Sequence, residues 1–299
     1  MTSFSDKRDG GDRATHYRTA DIDGTSIFYR EAGAKDAPAV LLLHGFPSSS
    51  RMFRNLIPKL SDAYRVIAPD YPGFGHSGIP DRTAFRYSSE HSASIVETLL
   101  ANLGIDRFAM YVMDFGAPIG YRLAVKYPER VAAIVTQNGP AYAKGPTPFW
   151  ASFAAYWKDG SAEHREALGA WFLTLDATRH QYIDGVVDPS RIDPENWETD
   201  QTLMDRPGVA DIMLDLIYDI RNSASEYPAI HQYFRKYRPP TLIATGINDK
   251  FFPEDDMRAY LQDLPDAEFH ALDTGHFALE DKGDEIAAIM RDFLDRKYV

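Results

Sequence analysis

Phe108-Ala-Met-Tyr-Val-Met-Asp114-Phe-Gly-Ala-Pro-Ile-Gly120 is the stretch that decides the fold of this chain. Its apolar first half has the length of a buried strand. The run then breaks at once into Asp114-Phe115-Gly116 before a helix-like segment, Ala117 to Tyr127. A strand that turns sharply into a helix is the geometry of a nucleophile elbow, which holds one side chain on a strained turn above a sheet. Serine is the usual occupant, and an aspartate there changes the chemistry within reach. Taken alone, Asp114 is better explained as a helix N-cap, because its carboxylate accepts backbone N–H groups and suits the positive helix end. The rest of the chain has to separate the two.

Upstream, Tyr17 to Arg30 alternates around Asp23-Gly24, a hairpin dipeptide. Ala39-Val-Leu-Leu-Leu43 is a continuous apolar run, as expected of a central strand covered on both faces, and it ends in His44-Gly45-Phe46-Pro47. Met52 to Leu60 has helical spacing, Tyr64 to Asp70 reads as a second buried strand, and His91 to Leu103 as a helix. Beyond the elbow, Val131 to Thr136 is another strand, closing at Gln137-Asn138-Gly139. From Pro140 to about Tyr227 only helix-like segments follow, rich in Trp and Tyr and broken by Pro. Strand signal returns at Thr241–Gly246 and Ala267–Leu272, and a last helix spans about Asp284 to Leu294. Strands alternating with helices predict an α/β fold with a parallel sheet covered on both faces. The helical insert is expected as a lid over the strands' C-terminal ends, where open α/β sheets place ligands. The expected division is a core of residues 15–139 and 229–299, a lid of residues 140–228, and a disordered polar tail of residues 1–14.

The chain has 299 residues, 44% of them hydrophobic, enough for one large core carrying a smaller unit. A net charge of -12 argues against nucleic acid, whose phosphates need a basic face. Cysteine is absent, which excludes disulfides, thiolate metal sites and a thiol nucleophile. No apolar run approaches the ~20 residues a membrane span needs, and Met1 to Ala14 lacks an apolar signal core. A soluble, cytoplasmic protein is expected, with no cofactor and no metal, as monomer or homodimer.

Two motif matches are set aside. Gly73-Phe-Gly75-His-Ser-Gly78 fits a dinucleotide fingerprint, but Ile79-Pro80 follows it where that motif needs a helix. Ser77 nearly completes G-x-S-x-G but lies outside any strand–helix elbow, and reads as part of a turn.

Three further residues fall where an elbow enzyme needs them. His276, in Asp273-Thr-Gly275-His276-Phe277, lies in the loop between the last strand and the final helix, from which a general base can reach the elbow. Gly275 lets the backbone turn so that the imidazole points inward. Asp249 follows strand Thr241–Gly246 directly and can hold the second ring nitrogen of His276. Asp255, Asp256 and Asp273 are less direct rivals, and Asp273 is better suited to bracing its own loop. A surface histidine and a turn-forming aspartate are the plain alternatives. Gly45 allows close backbone approach, so the N–H of Phe46, with that of Phe115, can form a two-donor oxyanion hole.

With these pieces in order, the chain resembles the α/β-hydrolase superfamily. The resemblance rests on His44-Gly-Phe-Pro47, on Asp70-x-x-Gly73-x-Gly75-x-Ser77, on the elbow at Asp114, on Asp249 and on Gly275-His276. It implies an eight-stranded, mostly parallel sheet, with the lid inserted after the strand that follows the elbow. The aspartate nucleophile resembles the epoxide hydrolase and haloalkane dehalogenase branch. One departure is Val112, where the elbow usually carries Gly.

A carboxylate at the elbow attacks saturated carbon and leaves an alkyl ester, which a His276-activated water then hydrolyses. An epoxide hydrolase needs lid tyrosines to donate to the opening oxygen. Tyr156 resembles the first of these, while the second position reads Ile220-Arg221-Asn222, with Tyr218 two residues earlier and so off that helix face. A dehalogenase needs N–H donors around a halide, commonly a Trp after the nucleophile, where this chain has Phe115. Trp150, Trp157 or Trp171 from the lid, or Asn138 at the neighbouring strand end, are the substitutes on offer. The epoxide is favoured, because oxygen release needs only one good donor. A catalytically silent small-molecule binder is the alternative from a different class, disfavoured by the ordered acid–base set. An activated ester or lactone is disfavoured because carboxylate attack on acyl carbon gives an anhydride. The expected partners are a small, neutral, apolar substrate and water.

Overall fold

The structure, a computed structural model, describes residues 13–142 and 148–298. Most of the expected polar tail, residues 1–12, and residues 143–147 of the expected lid lie outside the described residues. The eight strands form one sheet in the order β1-β2-β4-β3-β5-β6-β7-β8. They are β1 (His16–Ile22), β2 (Thr25–Ala32), β3 (Ala39–Leu43), β4 (Arg65–Pro69), β5 (Phe108–Met113), β6 (Val131–Gln137), β7 (Thr241–Gly246) and β8 (Glu268–Leu272). Only the β1–β2 and β2–β4 pairings are antiparallel. The hairpin at Asp23-Gly24 has φ of 51° and 79°, the doubly left-handed turn that matches strand twist.

The central strands are apolar throughout because both faces are covered. Leu41 and Leu43 of β3 and Phe108, Met110 and Val112 of β5 join one core layer. Their alternates Val40, Leu42, Ala109, Tyr111 and Met113 join the other. The flanking helices of the sheet are α1 (Ile57–Leu60), α2 (Ser89–Asn102) and α3 (Gly116–Lys126), then α9 to α11 after the insert. The helix expected over Met52–Leu60 is instead a 3-10 turn, Ser50–Phe53, followed by the short α1, with Pro58 in its first turn. Proline suits a helix start but cannot sit in a helix interior, so it divides the run.

Between β6 and β7 stand α4 (Ala151–Asp159), α5 (Ala162–Phe172), α6 (Leu175–Ile183), α7 (Glu195–Met204), α8 (Val209–Asp219), a 3-10 turn (Ile220–Ser225) and α9 (Tyr227–Tyr237). After β7 come α10 (Glu254–Arg258) and α11 (Gly283–Lys297). Helix α9 lies against α3 through Phe234, whose ring meets Tyr121 edge-on at 5.5 Å. No helix of the described residues is long and apolar enough to cross a membrane.

The order places β3 and β5 side by side, with Leu43 opposite Val112. Chain connections run to one side of this pair through β4 and to the other through β6 to β8. The loops after β3 and β5 therefore diverge from one point, the crevice where such sheets bind ligands.

Candidate active site

Asp114 leaves β5 with φ of +47°, a left-handed conformation that is costly for a residue bearing a Cβ. Three backbone bonds hold it there. Its N–H donates to Asn138 O at 3.2 Å, its carbonyl accepts from Ala117 N–H at 3.0 Å, and its Oδ1 accepts from Phe46 N–H at 2.6 Å. The N-cap of α3 falls on Phe115, with no side-chain cap. The carboxylate is thus engaged by the β3 loop, not by a helix-capping bond.

Two glycines make the approach possible. A Cβ on Gly116 would lie 2.3 Å from Leu43 O, and one on Gly45 would lie 2.7 Å from Asp114 Cβ. The N–H of Phe115 is also near enough to the Asp114 carboxylate to favour its charged form. Burial raises the pKa of this carboxylate above its ordinary value, against the opposing pull of His276 and the Phe46 and Phe115 N–H groups. A buried, hydrogen-bonded carboxylate of this kind is poorly hydrated, which favours nucleophilic attack.

His276 is buried, and its Nδ1 lies 2.8 Å from Asp249 Oδ2. Asp249 is itself fixed, because its Oδ1 accepts from the Phe251 N–H at 2.7 Å. Donation from Nδ1–H to the carboxylate leaves Nε2 as the lone-pair nitrogen. The His276 carbonyl accepts from Gln137 Nε2 at 2.9 Å. Burial is the largest single influence on the imidazole and lowers its pKa. The Asp249 charge and hydrogen bond, helped by Asp114, outweigh it, so the net direction is upward. Gly275 has a different reason from the one expected: a Cβ there would sit 1.9 Å from Asp184 O, so close packing against the end of α6 requires glycine. Of the rival carboxylates, Asp273 accepts from Asn248 Nδ2 at 2.9 Å, tying its loop to the one after β7, and Asp255 and Asp256 lie in the first turn of α10.

A cavity of about 420 Å³ opens over Asp114, walled by Phe46, Phe115, Trp150, Phe153, Trp157 and Phe172. The structure therefore brings Asp114, His276, Asp249 and the Phe46 and Phe115 N–H groups together at the β3/β5 crevice. It does not bring the other expected residues into donor roles. The Tyr156 hydroxyl accepts from Arg165 Nη1 at 2.9 Å, and neither Tyr156 nor Tyr218 lines the cavity. Tyr218 is half-buried, its ring 4.9 Å from that of Tyr156 and 3.6 Å from the Arg221 guanidinium.

Trp157 does line the cavity, but its indole N–H donates to Ile217 O at 2.7 Å. Trp150 likewise donates to Phe251 O at 3.2 Å, and Trp171 is exposed. Asn138 is buried and clamps β6 to the end of β7, with its amide donating to Gly246 O and its oxygen accepting from Gly246 N–H. These donors are spent on structure. Polar residues given no site role by the sequence line the same cavity, among them Tyr142, Gln181, Ser223 and Tyr227. The one sequence cue for Gln181 is that α6 buries a polar stripe, Thr178, Gln181 and Tyr182, at three- and four-residue spacing.

The Gly73–Gly78 stretch holds the β3 exit in place instead of binding a nucleotide. Asp70 accepts from Ser50 N–H at 2.7 Å and His76 N–H at 2.8 Å. Ser77 Oγ donates to Asp70 O at 2.7 Å. A Cβ on Gly75 would lie 2.0 Å from Asp70 Oδ2.

Comparison with known proteins supplies context for this geometry. A family model described as alpha/beta hydrolase fold matches residues 38–175. An uncharacterized hydrolase of Saccharomyces cerevisiae is 41% identical over 261 residues, spanning 86% of this chain and 89% of that protein. A cis-3-alkyl-4-alkyloxetan-2-one decarboxylase of Xanthomonas campestris is 28% identical over 298 residues, covering 91% and 93%. A haloalkane dehalogenase of Bradyrhizobium diazoefficiens is 35% identical over 155 residues, about half of each chain at 52% and 48%. In fold, the solved structure of the epoxide hydrolase CorEH superposes with a TM-score of 0.76 at 22% identity, covering 95% of this chain and 99% of that one.

Proposed function

The chain belongs to the α/β-hydrolase family, and on that footing we propose that it opens small, neutral epoxides through an ester formed on Asp114. The observation that carries this is the aspartate at the left-handed elbow, with Phe46 N–H on its Oδ1 at 2.6 Å and an Asp249-held His276 beside it.

In the first step the other carboxylate oxygen, Oδ2, attacks an epoxide carbon from the side opposite the ring oxygen. The new C–O bond to Asp114 forms as the ring C–O bond breaks, and the ring oxygen becomes an alkoxide that takes a proton from a water molecule, leaving hydroxide. Oδ1 stays on the Phe46 N–H and becomes the ester carbonyl oxygen. In the second step His276 Nε2 removes a proton from water, whose oxygen adds to Asp114 Cγ. The negative charge then develops on Oδ1, already facing the Phe46 and Phe115 N–H groups, so no reorganisation is needed. Collapse breaks the Cγ–Oδ2 bond, His276 returns its proton to the departing oxygen and the diol leaves, while the resulting Asp114 acid gives its proton to the hydroxide left by the first step and is a carboxylate again.

Neutralising Asp114 also serves this sequence. The Asp114 charge is one of the influences that raise the His276 pKa. Once the carboxylate is an ester that influence is gone, and the imidazole is more fully in its basic form when it must act. Helices α4 to α8 serve as the lid that keeps bulk water from the apolar cavity.

An oxygen leaving atom is favoured over a halide because the indole N–H groups of Trp150 and Trp157 and the Asn138 amide are all bonded within the protein. The test is the intact mass of a His276→Gln variant incubated with styrene oxide or a primary bromoalkane. A gain equal to the whole epoxide supports ring opening. A gain equal to the alkyl group without bromine replaces the epoxide reading with dehalogenation. No adduct from either, in a folded protein, overturns the aspartyl-ester mechanism.

A further inference from the structure

Helix α6 turns a polar face inward, and two of its three buried polar residues are satisfied. Thr178 Oγ1 donates to Gln201 Oε1 at 2.9 Å, and the Tyr182 hydroxyl donates to Asp200. Gln181 is different. It is 3% exposed, yet its Nε2 is buried with no hydrogen-bond partner among the described residues.

Its position is equally specific. Gln181 lines the cavity over Asp114 and also a second cavity of about 420 Å³ that reaches His276 and Asp249 from the other side. Only Phe172 and Phe251 share that double role among the described residues. Gln181 therefore borders both the nucleophile's cavity and the base's, as Phe172 and Phe251 do. Buried amide N–H groups are almost always bonded, and an unpartnered one on a residue that lines a ligand-sized space points to an acceptor supplied by a ligand.

We propose that Gln181 is the residue that selects an oxygen-bearing ligand, its Nε2–H donating to an acceptor oxygen on an otherwise apolar, uncharged molecule. In the ring-opening reaction that acceptor is the epoxide oxygen, so Gln181 takes the donor role that Tyr156 does not fill. The catalytic half of this assignment rests on the ring-opening reading, while the binding half does not. Ser223 Oγ, also without a partner and on the same cavity wall, is the natural comparison.

The experiment pairs acetophenone with ethylbenzene, two unreactive ligands of similar shape that differ by one carbonyl oxygen. Binding is followed through the fluorescence of Trp150 and Trp157, which line the cavity. In Gln181→Leu, acetophenone is expected to bind roughly five- to tenfold more weakly, the size of one neutral hydrogen bond, with ethylbenzene unchanged or tighter. Equal losses for both ligands, or none for the ketone, overturn the proposal, as does a ketone-specific loss in Ser223→Ala with none in Gln181→Leu. Gln181→Met, unbranched and close in volume, repeats the measurement if the Leu variant does not fold. A second arm compares ester formation from styrene oxide in His276→Gln with and without Gln181→Met, where at least about a tenfold slowing is expected. An unchanged rate removes Gln181 from the chemistry. If the parent His276→Gln forms no ester, the ring-opening reading fails by itself and the ligand pair still decides the contact.

Discussion

Val112 Cγ1 lies 2.5 Å from the point that a Cβ on Gly120 would occupy. The elbow therefore fits a β-branched residue on its strand by removing a side chain from its helix, six residues after the nucleophile. Both residues are fully interior, Val112 without measurable exposure. Gly120→Ala should destabilise by about 1–3 kcal/mol through overpacking. Adding Val112→Ala should recover part of that loss, giving a coupling of about 0.5–3 kcal/mol in urea unfolding. Strict additivity of the two changes would mean that the contact is not what makes room.

That contact also shows where sequence reasoning succeeds and where it stops. The strand-to-turn break at Asp114, the Gly45-Phe46 exit from β3 and the positions of Asp249 and His276 just past strand ends are written in local pattern, because strand order alone converges those loops. Orientation on the insert's helices is not. Phe153, Tyr156 and Trp157 share helical spacing, and Phe153 and Trp157 face the cavity while Tyr156 does not. What turns the Tyr156 hydroxyl away is Arg165 on the next helix, held in turn by Asp211 and Asp215. Nothing within a turn of Tyr156 encodes that. Gly275 is similar: a glycine is visible in sequence, but the carbonyl of Asp184 that demands it is distant along the chain.

Tyr156→Phe separates the two views of this residue. With its hydroxyl bonded to Arg165, the substitution should leave ester formation within about twofold while costing on the order of 1 kcal/mol of stability, since Arg165 keeps its other partners. A loss of alkylation rate without loss of stability would return Tyr156 to the cavity.

Asp249 touches the imidazole and not the substrate cavity. Asp249→Asn presents an amide to Nδ1 and favours the wrong tautomer, so turnover should fall by about 10³–10⁴-fold, as in other triads that lose this carboxylate. Ester formation should be far less affected, so the ester should accumulate in intact-mass spectra. Equal loss of both steps would show that Asp249 chiefly shapes the nucleophile's surroundings.

A second buried carboxylate gives a stability prediction. Asp200, bonded to Tyr182, has its pKa pushed up to about 6, chiefly by burial. Its folded pKa exceeds the unfolded one, so the fold favours the protonated acid. That contribution is present below about pH 4 and is lost as pH rises through about 6. Asp200→Asn, which mimics the neutral acid, should therefore gain stability relative to the parent between pH 4 and 7. The ceiling is roughly 3 kcal/mol at 1.36 kcal/mol per pKa unit. Tyr182 stacks on Phe277 at 4.0 Å, beside His276, so the variant should be checked for retained turnover. A stability difference that is flat with pH would mean that Asp200 is ionised throughout.

The pH dependence of turnover follows from the direction of the His276 shift. Above its pKa the imidazole is neutral and can take a proton from water; below it the imidazolium cannot. Turnover limited by ester hydrolysis should therefore rise with pH along one limb and then level off. In the free enzyme that pKa lies above the ordinary histidine value, held up by Asp249 and by the Asp114 charge. Asp114→Asn removes the charge as the ester does, so the His276 pKa measured by NMR titration should be lower in that variant than in the parent. The turnover limb of the parent should align with the lower value, because it reports the ester state. Should the His276 pKa stay the same or rise on neutralising Asp114, the two groups are not electrostatically coupled, and the ester would not prepare its own base.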